Sequence, residues 1–157
     1  MKFGSERDRA AFLAASPARD VIAGGDDAVP VPMHVARERE RGYNQAALIA
    51  EYACRALSRE TFRRALVQHL ERPSQVGLNA QERRDNVRRS FSIAGDVVPS
   101  PRKRYVLVDD VRTTGSTLAA CVEALRPLRA ARIDVVTFAA ELRSEVIEAT
   151  VKPFPDS

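Results

Sequence analysis

Two adjacent carboxylates, Asp109 and Asp110, stand just ahead of the run Thr113-Thr114-Gly115-Ser116-Thr117. Four hydroxyls flanking one glycine, placed at the start of an apolar-periodic stretch, are the residue types that meet a phosphate. A helix start presents backbone N–H groups and a partial positive charge, and the hydroxyls add further donors. Gly115 lets the backbone turn and come close to a ligand. Carboxylates repel phosphate but accept hydrogen bonds from sugar hydroxyls. An anion cradle beside a pair of diol acceptors describes a sugar phosphate. The competing reading makes the hydroxyls an ordinary helix N-cap and the aspartates a loop, yet capping needs only one such side chain. No Gly-Lys-Ser/Thr or G-x-G-x-x-G pattern occurs, so neither a Walker loop nor a dinucleotide fingerprint is present.

Positioning that cradle requires a strand before it and a helix after it. Tyr105, Val106, Leu107 and Val108 form a continuous apolar run, the pattern of a parallel strand buried on both faces, over Arg104–Asp109. Leu118, Cys121, Val122, Leu125 and Leu128 mark one face of the following helix, and residues 133–139 read as a last strand. Strand, helix and strand in that order make a βαβ unit, and ligands bind beyond the carboxyl ends of strands in such sheets.

Upstream, residues 2–15 read as a helix, residues 16–27 as a small and polar stretch ending in a loop, and residues 28–32 as extended. Pro30 and Pro32 suit a strand end or edge. Asn44 is placed to cap a helix in which Ala46, Ile49, Ala50, Ala53 and Leu57 recur at helical spacing, with Glu51 and Arg55 paired on its outer face. Residues 65–69 and Phe91–Ile93 read as short strands, and a long polar loop lies between them. Residues 75–89 of that loop have little to bury, as lids do, and are expected to be mobile without ligand. The last residues, 151–157, are expected to fray.

Composition narrows the function classes. The 157 residues, 45% hydrophobic and 29% charged, fit one globular domain, read as 1–150 with 151–157 as a tail. No apolar run approaches a membrane span, and the charged N-terminus is unlike a signal peptide, which predicts a cytoplasmic protein. Cys54 and Cys121 form no Cys-x-x-Cys pair and read as buried small hydrophobes; His34 and His69 lack companion ligands. The net charge of +4 is clustered: Arg37, Arg39, Arg41; Arg83, Arg84, Arg88, Arg89; Arg102, Lys103, Arg104. Such clusters draw in polyanions, and a phosphorylated small molecule or a nucleic acid would satisfy them equally. Aromatics are only 6% and scattered, unlike the stacking platforms of single-strand binders.

Residues 106–118, VLVDDVRTTGSTL, resemble the phosphoribosyl pyrophosphate signature of type I phosphoribosyltransferases. Lys2-Phe3-Gly4, Val29-Pro30-Val31-Pro32, Arg41-Gly42-Tyr43-Asn44-Gln45, Arg72, Gln75, Leu78, Glu82-Arg83, Asn86 and Phe91 follow the order found in one branch. That branch is the ComF/GntX family of competence-associated phosphoribosyltransferase-like proteins. The resemblance implies an α/β fold, type I phosphoribosyltransferase-like, with an open, mostly parallel sheet flanked by helices. It implies that Asp109 and Asp110 hold the ribose hydroxyls and, through water, organise Mg²⁺, while Thr113, Thr114, Gly115, Ser116 and Thr117 hold the 5-phosphate. Arg39 and Arg41 would meet pyrophosphate, and Arg83 and Arg84 would stabilise it as it leaves. The ligand implied is phosphoribosyl pyrophosphate, with an acceptor that stays open. Competence or DNA-uptake proteins and a second copy of the chain are compatible partners, and no membrane is implied. Family members commonly begin with a cysteine-rich zinc ribbon, which this sequence lacks, and often carry Ala-Arg where Ala140-Glu141 stands here. A regulatory protein that keeps the fold without catalysis, or a nucleic-acid-binding module, remain the alternatives.

Overall fold

A computed structural model describes residues 18–58, 62–69, 79–110 and 115–138. The helix expected at residues 2–15, Thr113, Thr114 and the tail lie outside these residues. The elements in chain order are α1 (Ala18–Gly24), β1 (Asp27–Pro30), α2 (Val35–Arg41), α3 (Gln45–Ala56), β2 (Leu66–Gln68), α4 (Ala80–Arg89), β3 (Phe91–Ile93), β4 (Arg104–Asp109), α5 (Ser116–Leu125) and β5 (Arg132–Thr137), with a 3₁₀ turn at Arg126–Leu128.

The apolar run of β4 becomes the middle of a parallel sheet ordered β1-β4-β5, and β2 and β3 form a separate antiparallel pair. Being central, β4 has no face turned to water, which is why its residues do not alternate in polarity. Tyr105 and Leu107 point into a core shared with Val29, Ile133, Val135 and the buried face of α5; Val106 and Val108 point into another, shared with α1 and α3. The sheet is thus sandwiched between helices, the open, mostly parallel α/β arrangement expected. Leu125 and Leu128, both fully buried, close the core on the α5 side.

β1 stands at the edge of the three-stranded sheet. Pro30, which has no N–H to donate, is its last residue and lies opposite Val108. Ala28 makes one isolated parallel bridge to Phe62 on the outer side. The start of the β1–β4 pairing is pinned by charge as well: Lys103 Nζ lies 2.7 Å from the largely buried Asp27 carboxylate, and Arg104 N donates to Asp26 Oδ2 at 2.7 Å. α3 packs on this sheet through Ala46, Ala47, Ala50, Ala53 and Cys54, small side chains that let the helix approach closely. The Glu51–Arg55 pair forms on its outer face at 2.7 Å.

Three segments depart from the sequence expectation. Residues 18–24 are helical because Ala18 and Ile22 bury one turn apart against the sheet, a pair too short to register as periodicity. α2 buries no residue and so leaves no apolar pattern to read. The third matters most: residues 80–89, expected to belong to a loop, form a helix. Asn79 Oδ1 accepts from Glu82 N at 2.9 Å while Glu82 Oε2 accepts from Asn79 N at 2.8 Å. This reciprocal capping box satisfies two otherwise orphaned donors, and a cap of this kind contributes about 1 kcal/mol. Val87 then packs against the α5-side core and Arg88 reaches Glu123 of α5 at 3.3 Å. The part of 75–89 expected to be loop is thus helical from residue 80 and touches α5 through these contacts. Among the described residues, no helix is long and apolar enough to cross a membrane.

Candidate functional site

β4 delivers its last residue, Asp109, to the carboxyl end of the central strand, where it is 4% exposed. Asp109 Oδ1 accepts from Asp110 N at 2.9 Å, which orients the Asp109 carboxylate. The backbone oxygen of Asp109 accepts from Phe138 N at 3.1 Å, extending the β4–β5 pairing past its end. Asp110 is half-buried at the point where the chain leaves the sheet.

The same chain returns as α5. Its N-cap is Gly115, in the left-handed region at φ 71° and without a side chain to offer the helix start. A residue with a Cβ would be strained there, so glycine is what the turn requires. An ordinary hydroxyl N-cap is therefore not what this sequence builds at that position. Ser116 and Thr117 occupy the first turn, both half-buried. Asp109, Asp110, Gly115, Ser116 and Thr117 thus flank a single strand-to-helix connection at the carboxyl edge of the sheet.

Beneath it sits Cys121 of α5. Burial pushes its thiol far above the ordinary range, and the negative charge of Asp109 pushes it further the same way. A thiol held protonated is no nucleophile. Cys54 is buried too, so both cysteines act as small hydrophobic side chains. His34 accepts from Ala36 N at 3.3 Å and caps α2, and His69 is bonded to Ser92. Among the described residues, no group of three His, Cys, Asp or Glu is arranged to hold a metal ion. Two adjacent carboxylates alone suit Mg²⁺, which keeps most of its waters and completes its shell with substrate phosphates.

The excursion between β1 and α3 leaves the sheet beside the end of β4. Val31 N donates to Val108 O at 2.8 Å, one residue before Asp109. The chain then runs out through α2, whose Arg37, Arg39 and Arg41 are exposed, and turns at Gly42 with φ 81°. Glu38 of α2 is tied to Arg64 at 2.9 Å. Between this excursion and β2 lies a cavity of about 300 Å³, lined by Pro30, Pro32, Met33, Val35, Asn44 and Leu66 among others. Arg83 and Arg84 lie within α4, on a helix where the sequence predicts a loop.

The sequence pattern does not reveal how Asn44 joins the excursion to the sheet. It does identify the cap that Asn44 Oδ1 makes to Ala47 N, at 3.3 Å. The other half of the amide, Nδ2, donates to Val31 O at 3.0 Å, and nothing in the local pattern signals a partner so far away in the chain.

No family model matches this sequence. Competence protein F of Haemophilus influenzae is 38% identical over 107 residues, which are 68% of this chain and 47% of that protein. The DNA utilization protein YhgH of Escherichia coli O157:H7 is 32% identical over 110 residues, 70% of this chain and 47% of that one. The chain spans about half the length of the curated relatives it matches. In three dimensions, a hypoxanthine phosphoribosyltransferase from Staphylococcus aureus superposes with a TM-score of 0.51 at 12% identity, covering 90% of this chain and 72% of that one. That likeness establishes a phosphoribosyltransferase-like fold.

Proposed function

Since the chain belongs to the ComF family of competence-associated proteins with a phosphoribosyltransferase-like fold, we propose that it binds phosphoribosyl pyrophosphate with Mg²⁺ and transfers the phosphoribosyl group to a nucleophilic acceptor. One observation carries this reading: a carboxylate pair ending the central strand, joined by a short connection to a helix start that Gly115 leaves without a side-chain cap.

In this reading the backbone amides and hydroxyls of residues 113–117 hold the 5-phosphate. The dipole of α5 favours a dianion there. Asp109 and Asp110 accept from the ribose hydroxyls, and the Oδ1 bond to Asp110 N keeps the first carboxylate oriented. Mg²⁺, held through water by the same pair, would supply charge neutralisation to the pyrophosphate. Arg39 and Arg41 on α2 meet the pyrophosphate, and Arg83 and Arg84 are assigned to the leaving group. The acceptor's lone pair forms the new bond to ribose C1 as the C1–O bond breaks, and pyrophosphate departs with that electron pair. The acceptor's proton goes to solvent. The protein's part is to position the ribose and to stabilise charge on the departing oxygens.

Titration calorimetry with the sugar pyrophosphate, with and without Mg²⁺, tests this directly. The expected result is one ligand per chain, bound more tightly with the metal, followed by pyrophosphate release once an acceptor is supplied. A protein that takes up no sugar phosphate under either condition rules the reading out. The names of the relatives favour a second reading, a competence or DNA-handling protein of the same fold that does not turn over. Its mark would be Mg²⁺-dependent sugar-phosphate binding without pyrophosphate release across an acceptor panel. DNA binding that falls steeply with salt would add to it.

A further inference from the structure

The arginine-bearing excursion is attached at both ends by bonds that converge on Val31, the residue that follows β1. At its start, Val31 N donates to Val108 O, so its first residue is held by the strand that ends in Asp109. At its close, Asn44 is 5% exposed and its Nδ2 donates back to Val31 O at 3.0 Å. Residues 31–44 are therefore a closed loop, pinched at Val31 and Asn44. The same side chain begins α3, since Oδ1 accepts from Ala47 N and the backbone oxygen accepts from Leu48 N at 3.0 Å. One amide thus binds the sheet through its nitrogen and the helix through its oxygen. Between the pinch points α2 buries nothing, so its own packing does not determine where Arg39 and Arg41 stand. Among the described residues, the Glu38–Arg64 pair is a further tie, and it is partly exposed. Exposed pairs of this kind contribute little.

Resting on the phosphoribosyl reading above, we propose that Asn44 is a positioning residue: its amide sets where the arginine arm stands relative to the carboxylate pair. A sugar phosphate lacking pyrophosphate uses the carboxylates and the cradle but not the arm. Asn44 therefore governs preference for the pyrophosphate-bearing sugar and leaves the bare sugar phosphate unaffected.

Asn44→Ser and Asn44→Asp separate this role from helix capping. Serine and aspartate both cap well, so the helicity of α3 is expected to be retained, while the melting midpoint falls modestly because Val31 O loses its buried donor. Aspartate has no donor for Val31 O, and the serine hydroxyl is too short to reach it while capping the helix. Affinities for ribose 5-phosphate and for phosphoribosyl pyrophosphate with Mg²⁺ are measured on wild type and both variants. The ratio of the two affinities is expected to fall about tenfold in each variant, the effect of losing one buried hydrogen bond. Ribose 5-phosphate affinity itself should not move. Variants that keep the wild-type ratio overturn the proposal. A wild-type chain that binds neither sugar instead sinks the site reading on which it rests. Amide exchange over residues 35–41 needs no ligand: faster exchange in Asn44→Ser supports the tether, and unchanged exchange overturns it.

Discussion

The Asp109→Asn, Asp110→Asn double variant is expected to bind the sugar pyrophosphate more weakly by about 1–3 kcal/mol, the range for hydrogen bonds that involve a charged group. Asparagine keeps the size of each side chain. Its amide oxygen at position 109 can still accept from the backbone N–H of position 110, as Asp109 Oδ1 does at 2.9 Å. What disappears is negative charge, which under the proposed function would orient the ribose hydroxyls and hold the water shell of Mg²⁺. Turnover should therefore fall by on the order of a hundredfold, as when one pre-positioned electrostatic group is removed. The fold should not suffer. Two neighbouring carboxylates repel, one of them almost wholly buried, so neutralising them leaves the melting midpoint unchanged or higher. Calorimetric affinity and a thermal melt on the same sample check both halves. Loss of the fold, or affinity equal to wild type, would move the pair out of the binding site and into a structural role.

Leu107→Ala is expected to cost about 2–5 kcal/mol of stability, the range for truncating a buried leucine in a close-packed core. Leu107 is fully buried and packs in the cluster formed with α5, Val29 and Val135. The cavity left behind would lie directly under the element that presents Ser116 and Thr117. Val106→Ala, on the opposite face of the strand, should also destabilise, because that face is covered by α1 and α3. Denaturant midpoints for the two variants are the measurement. If only one face responds, β4 is not the two-sided centre of the sheet.

The parts of this molecule that are legible in its sequence are those whose environment is uniform. A strand buried on both faces writes itself as an unbroken apolar run, and β4 has the bounds expected from that run, Arg104–Asp109. The buried face of α5 follows a helical period because one side of the helix is turned to the core, and Leu118, Cys121 and Leu125 all lie on it. The acidic pair and the hydroxyl run are visible because they interrupt those patterns where regular structure stops. Exposed helices are not legible. α2 has no apolar face, and α4 sets Val87 among charged and polar residues, so periodicity has little to detect. In α4 the signal is present in another form: Asn79 and Glu82 stand at the spacing of a capping box. Asn44 shows the remaining limit. Its cap is local and readable; its bond to Val31 spans thirteen residues and depends on the sheet having formed.

The pairing of β1 with β4 brings together Asp26 and Arg104, seventy-eight residues apart, whereas β4 and β5 are joined through α5 alone. This difference gives the site a history as well as a shape. Short connections close early and long ones late, since the entropy of loop closure must be met before distant contacts can reward it. The carboxylate pair and the helix start that follows it arise within the β4-α5-β5 unit and can assemble from neighbouring chain. The arginine arm arrives only when β1 docks on the finished strand. Pulse-labelled amide exchange during refolding should protect Leu107 and Val136, whose N–H groups face the β4–β5 ladder, before Val29 and Val31, whose N–H groups face β4. The arginine-bearing excursion thus takes its place after the carboxylate pair and the helix start.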